Sequence, residues 1–234
     1  MKNKSEHIFF KSSAIWYALT VFWGFAPSFY LSRFLDDFEP LPLPLVIHGI
    51  AFTIWVLLYV VQVFLIGSKK FALHKRLGIF GVLVMISMVL TGLFPVLYKY
   101  YAGFNEITHT GHNVFRLFSG YVLFVLALSY RKHSFLHKRF MLGCMVMLMS
   151  AAIFRISMNL GLGDSQVFNK GVQVFPALCL FAFDAINYKK VVWVDLISVA
   201  AVFTIFFFAD HFWLSPFGET FTNWLVTIFV KPFI

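Results

Sequence analysis

Read as a string of apolar and polar positions, the chain is a series of long apolar runs separated by short polar turns. The runs fall at about 13–34, 45–66, 77–98, 108–129, 140–159, 172–188 and 191–210. A helix needs roughly 20 apolar residues to cross a hydrocarbon core. The pattern therefore predicts an all-α integral membrane protein of seven transmembrane helices, one domain over residues 1–234. The run at 172–188 is short for a span. A last apolar segment, about 219–231, is shorter still and predicts an interfacial or re-entrant helix. Prolines punctuate the scheme: Pro42 or Pro44 opens the second span, Pro27 kinks the first, and Pro95 lies near the end of the third. Asn105 or Thr108 offers an N-cap for the fourth span.

The pattern repeats. Residues 42–98 read as a helix carrying His48, a basic turn at Ser68-Lys69-Lys70, and a second helix opening on His74-Lys75-Arg76-Leu77-Gly78. Residues 105–159 read as an altered copy, with His112 in the first helix, Arg131-Lys132-His133 in the turn, and His137-Lys138-Arg139-Phe140-Met141-Leu142-Gly143 opening the second. This is the signature of a duplicated two-helix hairpin, helices 2–3 and 4–5.

Composition agrees: 60% of residues are hydrophobic and 12% charged, about half the charged share of a soluble domain. The net charge of +9 sits in turns, so it reads as topology and headgroup contact rather than nucleic-acid binding. The basic N-terminus (Lys2, Lys4, Lys11) and the turns at 69–76, 131–139 and 189–190 fall on one side. The alternate loops, including Asp36, Asp37 and Glu39, are acidic or neutral. The positive-inside rule then puts the N-terminus in the cytoplasm and the tail outside. Met1–Lys11 and the long run after it lack a small-residue cleavage site, so a retained first span is expected rather than a signal peptide. Cys144 and Cys179 lie in apolar runs with neither disulfide nor metal-ligand spacing.

The topology sorts the polar side chains. His48, His109, His112, Asp210 and His211 belong to the outer side, and His74 and His137 to the inner side. Arg116 lies about 12 Å of helical rise beyond Thr108. Arg155 lies about one turn from the outer end of its span. A guanidinium in an apolar helix is costly against lipid, so both are expected to face an inward partner or an anion. His109, His112 and Arg116 share a helix face, as do His48, Trp55 and Gln62 at seven-residue steps. An outer-side cluster of His48, His109, His112, Arg116 and Arg155, with Asn113 and Gln173, is the candidate site.

Three readings fit it. The first is bis-histidine haem b, His48 with His112 outside and His74 with His137 inside, with Arg116 and Arg155 on the propionates. Electrons would then cross the membrane to a quinone or other membrane carrier. The second is a zinc or iron site on His48, His109 and His112, completed by Asp210 or His211. The third is a transporter or lipid-handling protein that holds an anionic group on Arg116 and Arg155, with no metal. The same residues have plain roles too: His74 and His137 at headgroups, Gln62 bonding a neighbouring helix, and Asp184 and Asp195 in local ion pairs with Lys189 and Lys190. No mid-span lysine of the seventh helix is placed for a retinal Schiff base.

The stretch His48-Gly49, Trp55, Gln62, Leu73-His74-Lys75-Arg76-Leu77-Gly78, with His137-Lys138-Arg139-Phe140-Met141 and Arg155, resembles a family of uncharacterised bacterial inner-membrane proteins. That resemblance covers about 42–159 and implies topology, not activity. One histidine on each of helices 2 to 5 is also similar in architecture to dihaem b-type cytochromes, although here the histidines lie closer to the turns.

Overall fold

The computed structural model of the chain describes residues 2–35 and 40–234. The acidic loop residues Asp36, Asp37 and Glu39 lie outside the described residues. The helices are α1 (Lys2–Phe25), α2 (Leu43–Gly67), α3 (Phe71–Tyr101), α4 (Ile107–Ser129), α5 (Ser134–Leu148), α6 (Ser150–Asn159), α7 (Gln166–Tyr188), α8 (Trp193–Trp213) and α9 (Pro216–Phe229). A π-helical turn, Ala26–Tyr30, extends α1, and short 3₁₀ turns occupy Ser32–Phe34 and Lys231–Phe233.

Among the described residues, five helical segments are long and apolar enough to cross a membrane: Lys4–Tyr30, α2, α3, α4 and α7. The number rises to seven if α5 with α6, bent by 41°, and α8, bent by 45° past Ile205, each make one span. Within the five, only 28–39% of the most apolar stretch is buried inside the molecule, so the rest of that apolar surface faces outward. An outward apolar surface of this extent is what a multi-pass membrane protein presents to lipid.

Helix ends differ from the apolar runs in a consistent way. α3 starts at Phe71, so His74, Lys75 and Arg76 lie in its first turns and the loop is only Ser68–Lys70. α5 likewise takes in His137 and Lys138, and α7 reaches back to Gln166, which makes it long enough to span. Lysine, arginine and glutamine are good helix formers, so a helix continues through polar residues after its apolar run has ended. Neither Asn105 nor Thr108 caps α4: the N-cap position falls on Glu106, with no side-chain cap bond. The expected continuous helix over 140–159 is instead broken at Met149.

The α2–α3 turn is a Schellman motif. Lys70 N–H donates to the Leu65 carbonyl at 2.9 Å and Lys69 N–H to that of Ile66 at 3.0 Å, with Lys69 at φ 59°. This left-handed position usually goes to glycine, as it does at Gly103, φ 77°, after α3.

Two compact units result. The first is Met1–Met88 with Met149–Val172, and the second Val89–Leu148 with Gln173–Ile234. In the first unit α1 packs on α2 and α6. Gly24 lies against the backbone of Ala152 so closely that a Cβ would overlap it. The face of α2 expected at seven-residue steps meets α3 at the same steps in reverse. His48 bonds the Met88 backbone, Trp55 and Leu58 lie over Gly81, and Gln62 Nε2 donates to the His74 carbonyl at 3.1 Å. Three contacts rising by sevens on one helix and falling by sevens on the other fix the hairpin's register.

In the second unit α4 packs on α5 and α8, and α5 on α8. The fully buried Trp213 ring lies against α4 where Gly111 has no side chain. α9 folds back on α8 behind Ser215, whose Oγ accepts from the Gly218 N–H at 3.1 Å. Phe212, Trp213, Phe217 and Phe221 stack there as an aromatic cluster.

Candidate functional site

The expected outer-side residues divide between the units: His48 and Arg155 belong to the first, and His109, His112 and Arg116 to the second.

In the first unit the C-terminal end of α1, the N-terminal part of α2 and α6 build one constellation. The π-turn Leu31 N–H reaches back to the Ala26 carbonyl at 2.8 Å, an i to i−5 bond that carries the chain through Pro27. The turn is fastened to α2 by Phe29 over Gly49 and by the Tyr30 hydroxyl bonded to Thr53 Oγ1 at 2.8 Å. Just before it, the Phe25 ring packs on Phe52, 6.0 Å between centroids, and Phe52 stacks on His48 at 6.3 Å. Arg155 places its guanidinium carbon 4.4 Å above the Phe25 ring, donates Nη1 to the Ala151 carbonyl at 3.2 Å, and lies within electrostatic range of His48.

Among the described residues no carboxylate forms an ion pair with Arg155. One ring face and one carbonyl balance part of the charge. A cation–π contact is worth about 0.5–2 kcal/mol, against several kcal/mol to take an ion out of water. The difference favours an anion. Along the neighbouring face of α2 runs a groove of about 390 Å³ lined by Ile47, Ile50, Ala51 and Ile54 with Phe80, Leu83, Val84 and Ser87 of α3. It is apolar apart from Ser87. Ser87 adjoins Met88, the backbone partner of His48, and Ile47 precedes His48 directly.

In the second unit His112 Nε2 meets Asp210 Oδ1 at 2.8 Å, joining α4 to α8, with Asp210 half exposed. Asn113 donates to the His109 carbonyl of its own helix at 3.0 Å, and Gln173 to that of Val146 at 3.1 Å, tying α7 to α5. Arg116 is half-buried and has a partner within the molecule. His137 Nδ1 lies 2.8 Å from the Ala127 carbonyl, and the His74 carbonyl accepts Gln62. Among the described residues no three histidine, cysteine, aspartate or glutamate side chains are grouped to hold a metal ion.

The strongest polar constellation of the second unit was not expected. Arg139 is fully buried and grips Asp184 with both ends of its fork, Nε to Oδ2 and Nη2 to Oδ1, each 2.6 Å. Its Nη1 donates to the Phe135 carbonyl at 2.8 Å, and its plane lies 3.5 Å from the Phe135 ring centroid. Asp195 Oδ1 is 3.7 Å from Nε. The expected pairing of Asp184 and Asp195 with Lys189 and Lys190 is therefore corrected. Lys189 and Lys190 are exposed in the α7–α8 turn, whereas the two acids are buried. The signal was an acid inside each of two apolar runs, which demands a partner. The partner came from another helix, hidden in a basic run.

No family model, curated protein or solved structure matches the chain.

Proposed function

We propose that the chain is a seven-span bacterial inner-membrane protein with a cytoplasmic N-terminus and a duplicated hairpin, in which the bent pair α5–α6 and bent α8 each make one span. We further infer that it handles an anionic amphiphile, taking a carboxylate or phosphate head on Arg155 beside His48 and the tail in the α2–α3 groove. The observation that carries this reading is Arg155: a guanidinium within an apolar helix, on an aromatic face, with no acidic partner among the described residues. An incoming anion supplies the countercharge that the site lacks, and the groove gives an acyl chain a shaped surface.

The test is tryptophan quenching by brominated lipids in neutral nanodiscs, comparing an anionic with a zwitterionic headgroup on the same chains. A hydrogen bond to a charged group contributes about 1.5–3 kcal/mol, so a preference of about tenfold or more for the anionic lipid is expected. Arg155→Gln should abolish that preference. Equal quenching by both lipids in the wild type would refute the reading.

A second reading, haem b ligation, keeps one supporting observation. His48 and His137 each set the imidazole against a backbone carbonyl, the arrangement that orients ligand histidines. A reduced-minus-oxidised spectrum of the purified protein decides it, and absence of a haem b band ends it.

A further inference from the structure

Asp184 spends both carboxylate oxygens on the Arg139 fork, which leaves Asp195 over. Asp195 is 1% exposed, and neither of its oxygens has a hydrogen-bond donor among the described residues. Its nearest cationic atom is Arg139 Nε at 3.7 Å, beyond hydrogen-bond length. The same nitrogen, Arg139 Nε, lies 2.6 Å from Asp184 Oδ2, so the two carboxyl groups crowd one guanidinium edge. Two ionised carboxylates so placed repel each other and have nothing to share, whereas one proton between them turns the contact into a hydrogen bond.

We propose that Asp184 and Asp195, held on Arg139, form a proton-binding site. One proton taken from the aqueous phase sits between the two carboxyl groups, the O–H of one donating to an oxygen of the other, and no other bond forms or breaks. The pair titrates as a unit.

The neighbouring groups fit this. α5 carries His137, already on the Ala127 carbonyl, and the half-buried Lys138 beside Arg139. α7 carries Tyr188, whose ring centroid lies 5.8 Å from the guanidinium carbon. Tyr130, the residue after α4, stacks on Phe140. On α8, Ser198 buries a hydroxyl one turn from Asp195 with no partner among the described residues. Two features favour an ionised Asp195: the Arg139 guanidinium, whose Nε donates to Asp184 instead, and the first turn of α8. Its N–H groups make no hydrogen bond to either oxygen.

The test is infrared difference spectroscopy of the full chain in lipid nanodiscs. At neutral pH the wild type should show the C=O stretch of a buried protonated carboxyl group, shifted in heavy water. Asp195→Asn should lose the band and keep the fold, since asparagine copies the neutral acid, while Asp210→Asn should retain it. Absence of the band in the wild type would overturn the proposal, as would its persistence in both Asp195→Asn and Asp184→Asn. A sodium-dependent shift of the unfolding midpoint without the band would mean that a cation neutralises the pair, and would also overturn it.

Discussion

Replacing Asp184 with asparagine tests how the second unit is held together. The wild-type side chain accepts two 2.6 Å hydrogen bonds from a guanidinium with no solvent exposure. Asparagine keeps the volume, removes the charge, and turns an NH₂ group toward one of the donors. Removing one partner of a buried ion pair costs about 3–5 kcal/mol, because the other charge stays buried. Asp195, with Oδ1 3.7 Å from Arg139 Nε, can move in as substitute acceptor, so the expected loss is near the lower end, about 3 kcal/mol. The double variant Arg139→Met with Asp184→Leu removes both charges and should recover most of that loss, since an apolar replacement of a buried pair is often neutral. Reversible unfolding by titration with sodium dodecyl sulfate, followed by circular dichroism, gives the free energies. A loss below about 1 kcal/mol for Asp184→Asn, the value of an exposed pair, would refute the reasoning. So would a double variant no more stable than either single one.

Other perturbations follow from single contacts. Lys69→Gly should stabilise the α2–α3 turn by up to about 1 kcal/mol, since lysine there adopts the left-handed conformation at φ 59°, and a lower unfolding free energy would contradict it. Gly111→Ala should destabilise by about 1–3 kcal/mol, because the new methyl group lands on the Trp213 ring, and the loss should appear with altered tryptophan fluorescence. Gln62→Leu should cost only about 0.6 kcal/mol, the mean for a hydrogen bond between membrane helices, as measured by the same titration.

The apolar runs overlap each helix among the described residues that is long and apolar enough to cross a membrane, because burial in lipid demands such runs and that demand is written locally. Helix ends are written less clearly. His74 and Gln166 are polar yet helical, so hydropathy marks where the membrane ends and not where the helix does. The break at Met149 has no proline or glycine at its position to announce it. The His48, Trp55 and Gln62 face was legible from its seven-residue spacing. Its counterparts Met88, Gly81 and His74 were not, because a carbonyl or a glycine surface leaves no polar side chain to notice. Arg139 with Asp184 was hidden differently: 45 residues separate them, and the arginine lies in a run that charge patterning assigns to topology. Arg155 was legible because a guanidinium in an apolar helix is expensive wherever it points.

Native mass spectrometry tests the amphiphile site most directly. Wild-type protein and Arg155→Gln are released from bilayers holding equal amounts of an anionic and a zwitterionic lipid with identical chains. The wild type should carry one retained anionic lipid and the variant none. An equal lipid adduct in both proteins, or no anionic preference in the wild type, would contradict a site built on Arg155.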